Sequence, residues 1–361
     1  MDFVLGINQI GKLITVNGGD KTYFVEGPMG SGKTEGIMKY AQEKFRDAYN
    51  YVTVDCTQWD VGDFQLPDAD KVNEVMRFLP NALLVGDGSK PMFINFDEVG
   101  KSSRPVLNCI LPVALERRVG IKPLPVVGDL RSIVCATTNL GAEGVGDVIP
   151  AHARNRVSFL EMRYPTNKEW IQWAMEHGVA PAMLKWADDN PQLFQSFKDV
   201  PNPNDNPWIF HPKEQRRAFF TPRSAYLASI ELREDRRLAV DDDEATYAAI
   251  AGNIGARAAL DLMAFVMLEK KAPRYAQIIN DPDNAKVADS EAAMCMTAFS
   301  CVQKVQAHEM DAVMTYVLRL PREIQCLFAT QVMRTKGKQM MACNNRQFSK
   351  WTAENSWLMV G

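Results

Sequence analysis

The sequence predicts an α/β core with a central parallel sheet, followed by a helical lid and a further C-terminal helical region. Three observations predict this fold class. Near residue 30, a β-rich segment runs into a glycine-rich loop and then a helix-like segment. Apolar strand-like segments alternate with helix-like ones up to about residue 164, which is the pattern of a parallel sheet. From Trp170 onward, apolar residues recur at helical spacing.

The first strand, loop and helix carry the most specific pattern of the chain. Residues 27–34 fit G-x-x-x-x-G-K-[ST] at every fixed position. Residues 22–26 are aromatic and β-branched, as in a strand, and residues 35–41 are typical of a helix. Glycines let backbone N–H groups approach a polyphosphate, and the helix N-terminus favours its negative charge. A glycine-rich turn beside an unrelated lysine is the alternative interpretation.

The phosphate-loop interpretation assigns a role to individual side chains. Lys33 is expected to reach the β- and γ-phosphates, and the Thr34 hydroxyl to ligate Mg²⁺. ATP and Mg²⁺ are therefore the predicted cofactors. The predicted nucleotide-binding residues of the loop are Gly27, Gly30, Ser31, Gly32, Lys33 and Thr34.

A second motif follows an apolar strand at residues 91–96. The strand ends in Asp97 and Glu98, at the edge where open α/β sheets hold their ligands. Asp97 is predicted to hold Mg²⁺, directly or through water, and Glu98 to polarise the water that attacks the γ-phosphate. The alternative is an acidic pair that caps the next helix.

Asn139 ends another apolar strand, residues 132–139. At that sheet edge, its amide is placed to orient the attacking water beside Glu98. A turn-forming asparagine before Leu140 and Gly141 is the competing interpretation.

Two later segments add arginines. Residues 149–157 contain Arg154 and Arg156, which either belong to a solvated surface or enter the nucleotide site of a neighbouring subunit. Residues 221–224 predict a helix start with Pro222 at the first position, where Arg223 can point at phosphate.

Other segments complete the predicted organisation. Residues 71–79 are predicted to form a helix, and residues 119–130 a hairpin. Gly252 and Gly255 are expected to permit close approach of a neighbouring element. The predicted domains are a nucleotide-binding core at 1–165, a helical lid at 166–270 and a C-terminal helical extension at 271–361.

Composition limits the class of protein. A hydrophobic fraction of 46% and a charged fraction of 24% are ordinary for a globular protein, and the net charge of -3 creates no global basic field. The seven cysteines are scattered without a C-x-x-C pair, which favours free thiols in a reducing compartment. No segment resembles a membrane span or a secretory signal. We therefore expect a cytoplasmic protein, in the host cytoplasm if the gene belongs to a phage.

In this order, the motifs resemble those of AAA+ ATPases, specifically the MoxR-like branch that includes CbbQ-type activases and gas-vesicle ATPases. The resemblance covers residues 27–267, and the C-terminal region is similar to an extension of phage-encoded members. It implies an arginine finger in the Arg-Asn-Arg-Val segment, where we favour Arg156 with Arg154 as its helper. It also implies that Arg223 is the nucleotide-sensing arginine of the lid. The family motif usually has one arginine where this chain has two.

The same resemblance implies an assembly. Members form rings, usually hexamers, with ATP between subunits, and act on a protein client, often beside a von Willebrand factor A-type partner. The predicted function is thus a ring-forming, Mg-dependent ATPase that remodels or activates a protein. One alternative is a nucleic-acid-stimulated motor or loader, which the acidic balance disfavours. Another is a nucleotide-gated scaffold, which would need no water-activating Glu98.

Overall fold

The computed structural model describes residues 4–141 and 154–355. The chain divides into two compact units, Met1–Tyr164 and Pro165–Gly361. The boundary lies directly after the last strand of the sheet. The predicted division of the second unit near residue 270 stays a prediction.

The first unit is built on a six-stranded sheet in which every paired strand is parallel. Its strand order is β1-β12-β2-β11-β6-β3. In chain order these strands are β1 Val4–Leu5, β2 Tyr23–Gly27, β3 Asn50–Asp55, β6 Met92–Asp97, β11 Ile133–Asn139 and β12 Ser158–Met162. Because β11 lies between β2 and β6, the strands that carry the two motifs are held apart by one further strand.

Helices cover both faces of this sheet. Within residues 4–141, the α-helices are α1 Ile7–Asn17, α2 Lys33–Phe45, α3 Ala82–Val85 and α4 Arg104–Glu116. Ile10 of α1 and Ile37 of α2 pack with Val25 on one face. Ile110 of α4 packs with Phe96 on the other. Sheets buried on both faces require apolar strands, which explains the sequences of β6 and β11.

The segment at residues 71–79 is not a helix, so that prediction is wrong. It belongs to a hairpin in which Gln65–Asp70 (β4) pairs antiparallel with Val75–Pro80 (β5). Asp70 Oδ1 accepts hydrogen bonds from two backbone N–H groups of the turn, and Glu74 has a φ of +55°. An Asx turn of this kind closes a hairpin and competes with helix formation.

Residues 118–131 form two small hairpins where one was predicted. Arg118–Val119 (β7) pairs with Lys122–Pro123 (β8), and Val126–Val127 (β9) pairs with Leu130–Arg131 (β10). Ile121 in the first turn and Val126 in the second hairpin are exposed.

The second unit is helical. Its helices are Asn167–Glu176, Pro181–Asp189, Pro222–Glu231, Glu234–Val240, Asp243–Ile254, Ala256–Glu269, Tyr275–Asn280, Glu291–Lys304, Met310–Val317, Arg322–Arg334, Gln339–Asn344 and Arg346–Asn355. They enclose one large core in which Trp186, Phe299 and Tyr316 are buried. The predicted fold class is therefore confirmed: a P-loop α/β core with a central parallel sheet, followed by helical regions.

The two glycines for which close approach was expected, Gly252 and Gly255, differ. Gly255 separates two helices at a φ of +88°, and a Cβ there would lie 2.8 Å from the Ala218 carbonyl oxygen. The close approach expected at Gly255 is therefore present. A Cβ on Gly252 would meet nothing within 4 Å, so the expectation for that residue is wrong.

No helix of the described residues is long and apolar enough to cross a lipid bilayer.

Candidate nucleotide-binding and hydrolysis site

The loop between β2 and α2 has the backbone that a phosphate loop requires. Gly30 and Gly32 have φ values of +66° and +82°, which side chains with a Cβ rarely adopt. A Cβ on Gly27 would lie 2.9 Å from the Met162 Cβ, so this position needs a glycine for packing. The Ser31 hydroxyl donates to the Pro28 carbonyl oxygen at 2.6 Å, which tightens the turn before the helix.

Lys33 begins α2 and is buried, with 7% of its surface exposed. Its ammonium group donates to the carbonyl oxygens of Gly27 and Pro28, at 2.9 and 2.8 Å. It also donates to Asn139 Oδ1 at 2.8 Å. Each of its three hydrogens therefore has an acceptor, and a phosphate oxygen would replace at least one of them.

Asn139 connects Lys33 with the predicted base. Its Nδ2 donates to both carboxylate oxygens of Glu98, at 3.0 and 3.1 Å. Only 8% of Asn139 is exposed. The amide thus joins the phosphate-loop lysine to a carboxylate from another strand through two short contacts, and the turn-forming interpretation does not account for them.

Strand register explains why these three residues meet. Asn139, the last residue of β11, is paired with Gly27, the last residue of β2. On its other side, β11 pairs with β6, whose final residue is Asp97. Carboxyl ends of parallel strands share one edge, so the middle strand places its terminal amide between the two motifs.

Glu98 has an unusual backbone conformation. It follows β6 with φ and ψ of +53° and +35°, in the left-handed region. This conformation costs a residue other than glycine roughly 1–2 kcal/mol. It turns the chain sharply after the strand and leads it into the 3₁₀ turn Val99–Lys101.

Asp97 is oriented by a polar chain inside the sheet. The Thr137 hydroxyl donates to Asp97 Oδ1 at 2.6 Å, and the Glu98 backbone N–H donates to the same oxygen at 3.0 Å. Asn95 Nδ2 donates to the Thr137 hydroxyl at 3.3 Å. Both Asn95 and Thr137 are completely buried. These contacts direct one oxygen of Asp97 into the protein and leave Oδ2 for a ligand.

The donor set suits a magnesium ion that arrives with a nucleotide. Thr34 is partly buried beside Lys33, and Asp97 keeps an oxygen without a hydrogen bond from any described residue. Among the described residues, no three histidine, cysteine, aspartate or glutamate side chains cluster as a metal site. Mg²⁺ held with phosphates takes one or two protein oxygens and keeps several waters, so a hydroxyl and a carboxylate fit it.

Two cysteines near this edge are not nucleophiles. Burial raises the pKa of Cys56 to about 12, and the negative charge of Asp97 adds to the shift. Burial likewise raises the pKa of Cys135 to about 12. Both thiols therefore stay protonated at neutral pH, which disfavours a role as nucleophiles.

The three predicted arginines are all exposed. Arg154 and Arg156 precede β12, and residues 149–153 of their segment lie outside the described residues. Ser158 of β12 is paired with Tyr23, so these arginines lie at the amino ends of the strands. The phosphate loop begins at the other end of β2, roughly 13 Å away along the strand. Arg223 lies in the first turn of the helix Pro222–Glu231, in the second unit.

Sequence reasoning missed four residues around this site. Lys101 contacts Glu98, and Tyr164 donates a hydrogen bond to the Met29 carbonyl oxygen of the loop at 2.9 Å. In the sequence, Asn95 and Thr137 stand out only as members of apolar strands. A fully polar amide in the middle of Met92–Asp97 was the available signal, because buried amides need partners.

Comparisons with known proteins give weak similarities. No protein-family model and no curated protein matches the sequence. A point mutant of RuvB from Thermotoga maritima is 13% identical with a TM-score of 0.36, and the alignment covers 76% of each chain. NtrX from Brucella abortus is 15% identical in its ADP and ATP complexes, with TM-scores of 0.33 and 0.34. Those alignments cover 98% and 100% of this chain, and 68% and 70% of NtrX. At TM-scores below 0.5 these similarities carry no weight for function, which must be inferred from the residues of the loop and the sheet edge.

Proposed function

We propose that this chain is an AAA+ ATPase of the MoxR-like branch, which hydrolyses ATP with Mg²⁺ and uses the energy to remodel or activate a protein. The observation that carries the proposal is the contact series from Lys33 through Asn139 to Glu98. A phosphate-binding lysine and a carboxylate are thereby held at opposite ends of one amide. Groups held in place in this way can bind a γ-phosphate and orient the water that attacks it.

Each side chain then has one task. Lys33 and the backbone N–H groups of the loop bind the phosphates. Glu98 accepts the proton of the attacking water, and Asn139 keeps the carboxylate and the water aligned. Mg²⁺, held by Thr34 and Asp97, would neutralise charge on the phosphate oxygens.

The position of the arginines supports an assembly. Arg154 and Arg156 are at the amino ends of the strands, and the phosphate loop and Asp97 are at the carboxyl ends. The two ends of β2 are roughly 13 Å apart, which is too far for a side chain at one end to reach the other. Within this proposal, Arg154 and Arg156 contact the nucleotide bound to a neighbouring copy in a ring, usually a hexamer. Arg223 would sense the nucleotide from the lid.

The remaining parts of the proposal are the cellular compartment and the protein partners. The ring would act in the cytoplasm, on a protein client and beside a von Willebrand factor A-type partner. The motif order, which resembles that of the MoxR-like branch, supports the client and the partner. The free state of all seven cysteines agrees with a reducing compartment.

Phosphate release by the purified chain tests the reaction. We expect Glu98→Gln to lower kcat by about 10²–10⁴-fold, because it removes the base, while ATP affinity stays within a few-fold. Lys33→Ala should instead weaken ATP binding. A Glu98→Gln variant that turns over like the wild type would contradict the proposal.

Mixing two inactive variants tests the assembly. Glu98→Gln and Arg156→Ala are each expected to hydrolyse ATP poorly. If the arginine acts on a neighbour, mixed rings contain sites that combine an intact Glu98 with an intact Arg156, so phosphate release recovers. No recovery in a mixture that native mass measurement shows to be mixed would contradict the arrangement, and repeating it with Arg154→Ala tells which arginine acts.

A further inference from the structure

Lys101 has no role in the reaction as proposed so far, yet it contacts the predicted base. Its Nζ lies 3.0 Å from Glu98 Oε2. We propose that Lys101 is a positioning residue, which holds the Glu98 carboxylate against Asn139 in the orientation that receives a proton from water. This inference rests on the proposed ATP hydrolysis and assigns a further residue to it.

The local backbone brings the two side chains together. Glu98 and Lys101 are three residues apart across a 3₁₀ turn, and the Lys101 N–H donates to the Glu98 carbonyl oxygen at 2.9 Å. Glu98 itself has a left-handed backbone and directly precedes the 3₁₀ turn Val99–Lys101, and in this arrangement its carboxylate meets the Lys101 ammonium group. The contact therefore depends on both the left-handed residue and the turn that follows it.

The turn itself cannot shift easily. Val99 is buried in the core with 2% exposed, and the Gly100 N–H donates to the Thr138 hydroxyl at 3.2 Å. A Cβ on Gly100 would lie 2.4 Å from that hydroxyl oxygen, so the turn is pressed directly against β11. The Ser102 hydroxyl closes the turn by donating to the Val99 carbonyl oxygen at 2.7 Å. Lys101 is thus carried on a rigid support.

The carboxylate is held from two sides. Asn139 Nδ2 reaches both oxygens of Glu98, and Lys101 reaches Oε2. Asp55 is the competing anion near Lys101, and the positive charge of Lys101 contributes to lowering the pKa of Asp55. Thr57 and Gln58 already donate hydrogen bonds to Asp55, and the bond from Thr57 is the largest cause of that pKa shift. Glu98 is therefore the carboxylate that Lys101 contacts closely.

A pair of this kind affects rate more than stability. The side chains of Lys101 and Glu98 are 34% and 27% exposed, and ion pairs in contact with solvent add little to folding. Orientation of a reacting group, in contrast, is worth large factors in rate. The two effects can therefore be separated by experiment.

The test compares Lys101→Met with Lys101→Arg in the full chain. We expect Lys101→Met to lower kcat for ATP by about 10-fold or more, because the carboxylate loses one of its two supports. KM and the dissociation constant for ATP should stay within about threefold, since the close contact of Lys101 is with Glu98 and not with the phosphate loop. Lys101→Arg keeps the charge and should retain most of kcat.

Lys44→Met is the matched control. Lys44 Nζ donates to the Thr15 hydroxyl at 3.2 Å, in the same unit and far along α2 from the loop. We expect its kcat to equal that of the wild type. A double variant, Lys101→Met with Glu98→Gln, adds a second readout: if Lys101 acts through Glu98, it should turn over no more slowly than Glu98→Gln alone.

Other outcomes overturn the inference. It fails if Lys101→Met has the kcat of the wild type, if Lys101→Arg loses as much as Lys101→Met, or if the two substitutions multiply in the double variant. A fall in ATP affinity equal to the fall in kcat would indicate a structural effect and would also overturn it. A wild-type chain that releases no phosphate overturns the proposed function itself, whereas an active wild type with an unaffected Lys101→Met overturns only the positioning role.

Discussion

Two clusters of charged side chains among the described residues, one at the sheet edge and one in the second unit, differ in how completely their hydrogen bonds are made. At the sheet edge, Lys33 has an acceptor oxygen at 2.8–2.9 Å for each ammonium hydrogen. In the second unit, Arg237 and Glu269 approach one another only to 3.9 Å. The buried Arg237 Nη1 makes no hydrogen bond within the described part of the chain. The first cluster is a complete network, and the second is an incomplete ion pair.

The pKa of Glu269 is shifted in the direction expected for an incompletely paired carboxylate. Burial raises it to about 7, although the positive charges of Arg237 and Lys304 act in the other direction. A buried charge that lacks hydrogen bonds costs free energy, whereas a satisfied one can be kept for function. The polar groups of the sheet edge are thus held by several hydrogen bonds, whereas the pair in the second unit is not.

Removing the amide at the centre of the complete network should have the largest effect. Asn139→Ala takes one acceptor from Lys33 and both bonds from Glu98. We expect kcat for ATP to fall by about 10²-fold, as for the loss of a positioned catalytic contact, with ATP affinity within about threefold. Steady-state phosphate release and equilibrium ATP binding measure the two. Asn73→Ala, in the exposed hairpin turn, is the control, and equal kcat values for both variants would refute the network's role.

A smaller effect is expected from the chain that orients Asp97. Thr137→Val keeps the shape of the side chain but removes the hydroxyl that donates to Asp97 Oδ1. We expect the Mg²⁺ concentration for half-maximal turnover to rise about 10-fold or more, as when outer-shell partners of metal ligands are lost. Thr137→Ser should restore it, and exposed Thr53→Val should leave it unchanged. An unaltered Mg²⁺ titration for Thr137→Val would argue against an orienting role.

The smallest effect concerns the incomplete pair. A carboxyl group whose pKa is raised in the folded state contributes stability at low pH, which is lost as pH rises from its ordinary value near 4.5 to about 7. We therefore expect Glu269→Gln to gain in Tm relative to the wild type between about pH 5 and pH 8, by a few degrees. Exposed Glu244→Gln should show no such trend. A Tm difference between Glu269→Gln and wild type that is the same at both pH values would contradict the assignment.

Local, fixed spacing is what made parts of this site predictable. The loop at residues 27–34 and the pair Asp97–Glu98 follow from one short stretch of chain each, and the structure places them at one sheet edge. The contact of Asn139 with both could not be read from sequence, because it depends on β11 inserting between β2 and β6. The roles of Arg154, Arg156 and Arg223 stay predictions.

Two other features, the hairpin at residues 71–79 and the contact of Lys101, could not be predicted because local side-chain and backbone geometry decides them. Residues 71–79 have helix-compatible spacing, but the Asp70 side chain binds the turn backbone and creates a hairpin. In the sequence, Lys101 looks like a surface lysine after a strand. Its contact with Glu98 depends on a left-handed residue and a 3₁₀ turn, and neither leaves a pattern in composition or periodicity.

The hydrogen-bond partners of Lys33 have a consequence for the protein in the absence of nucleotide. Because the oxygens of Gly27, Pro28 and Asn139 accept its three hydrogens, the ammonium group keeps its hydrogen bonds when no phosphate is present. We therefore expect the loop to keep its shape in the nucleotide-free chain. Under the proposed function, ATP would then add thermal resistance by mass action, in an amount set by its concentration relative to its dissociation constant.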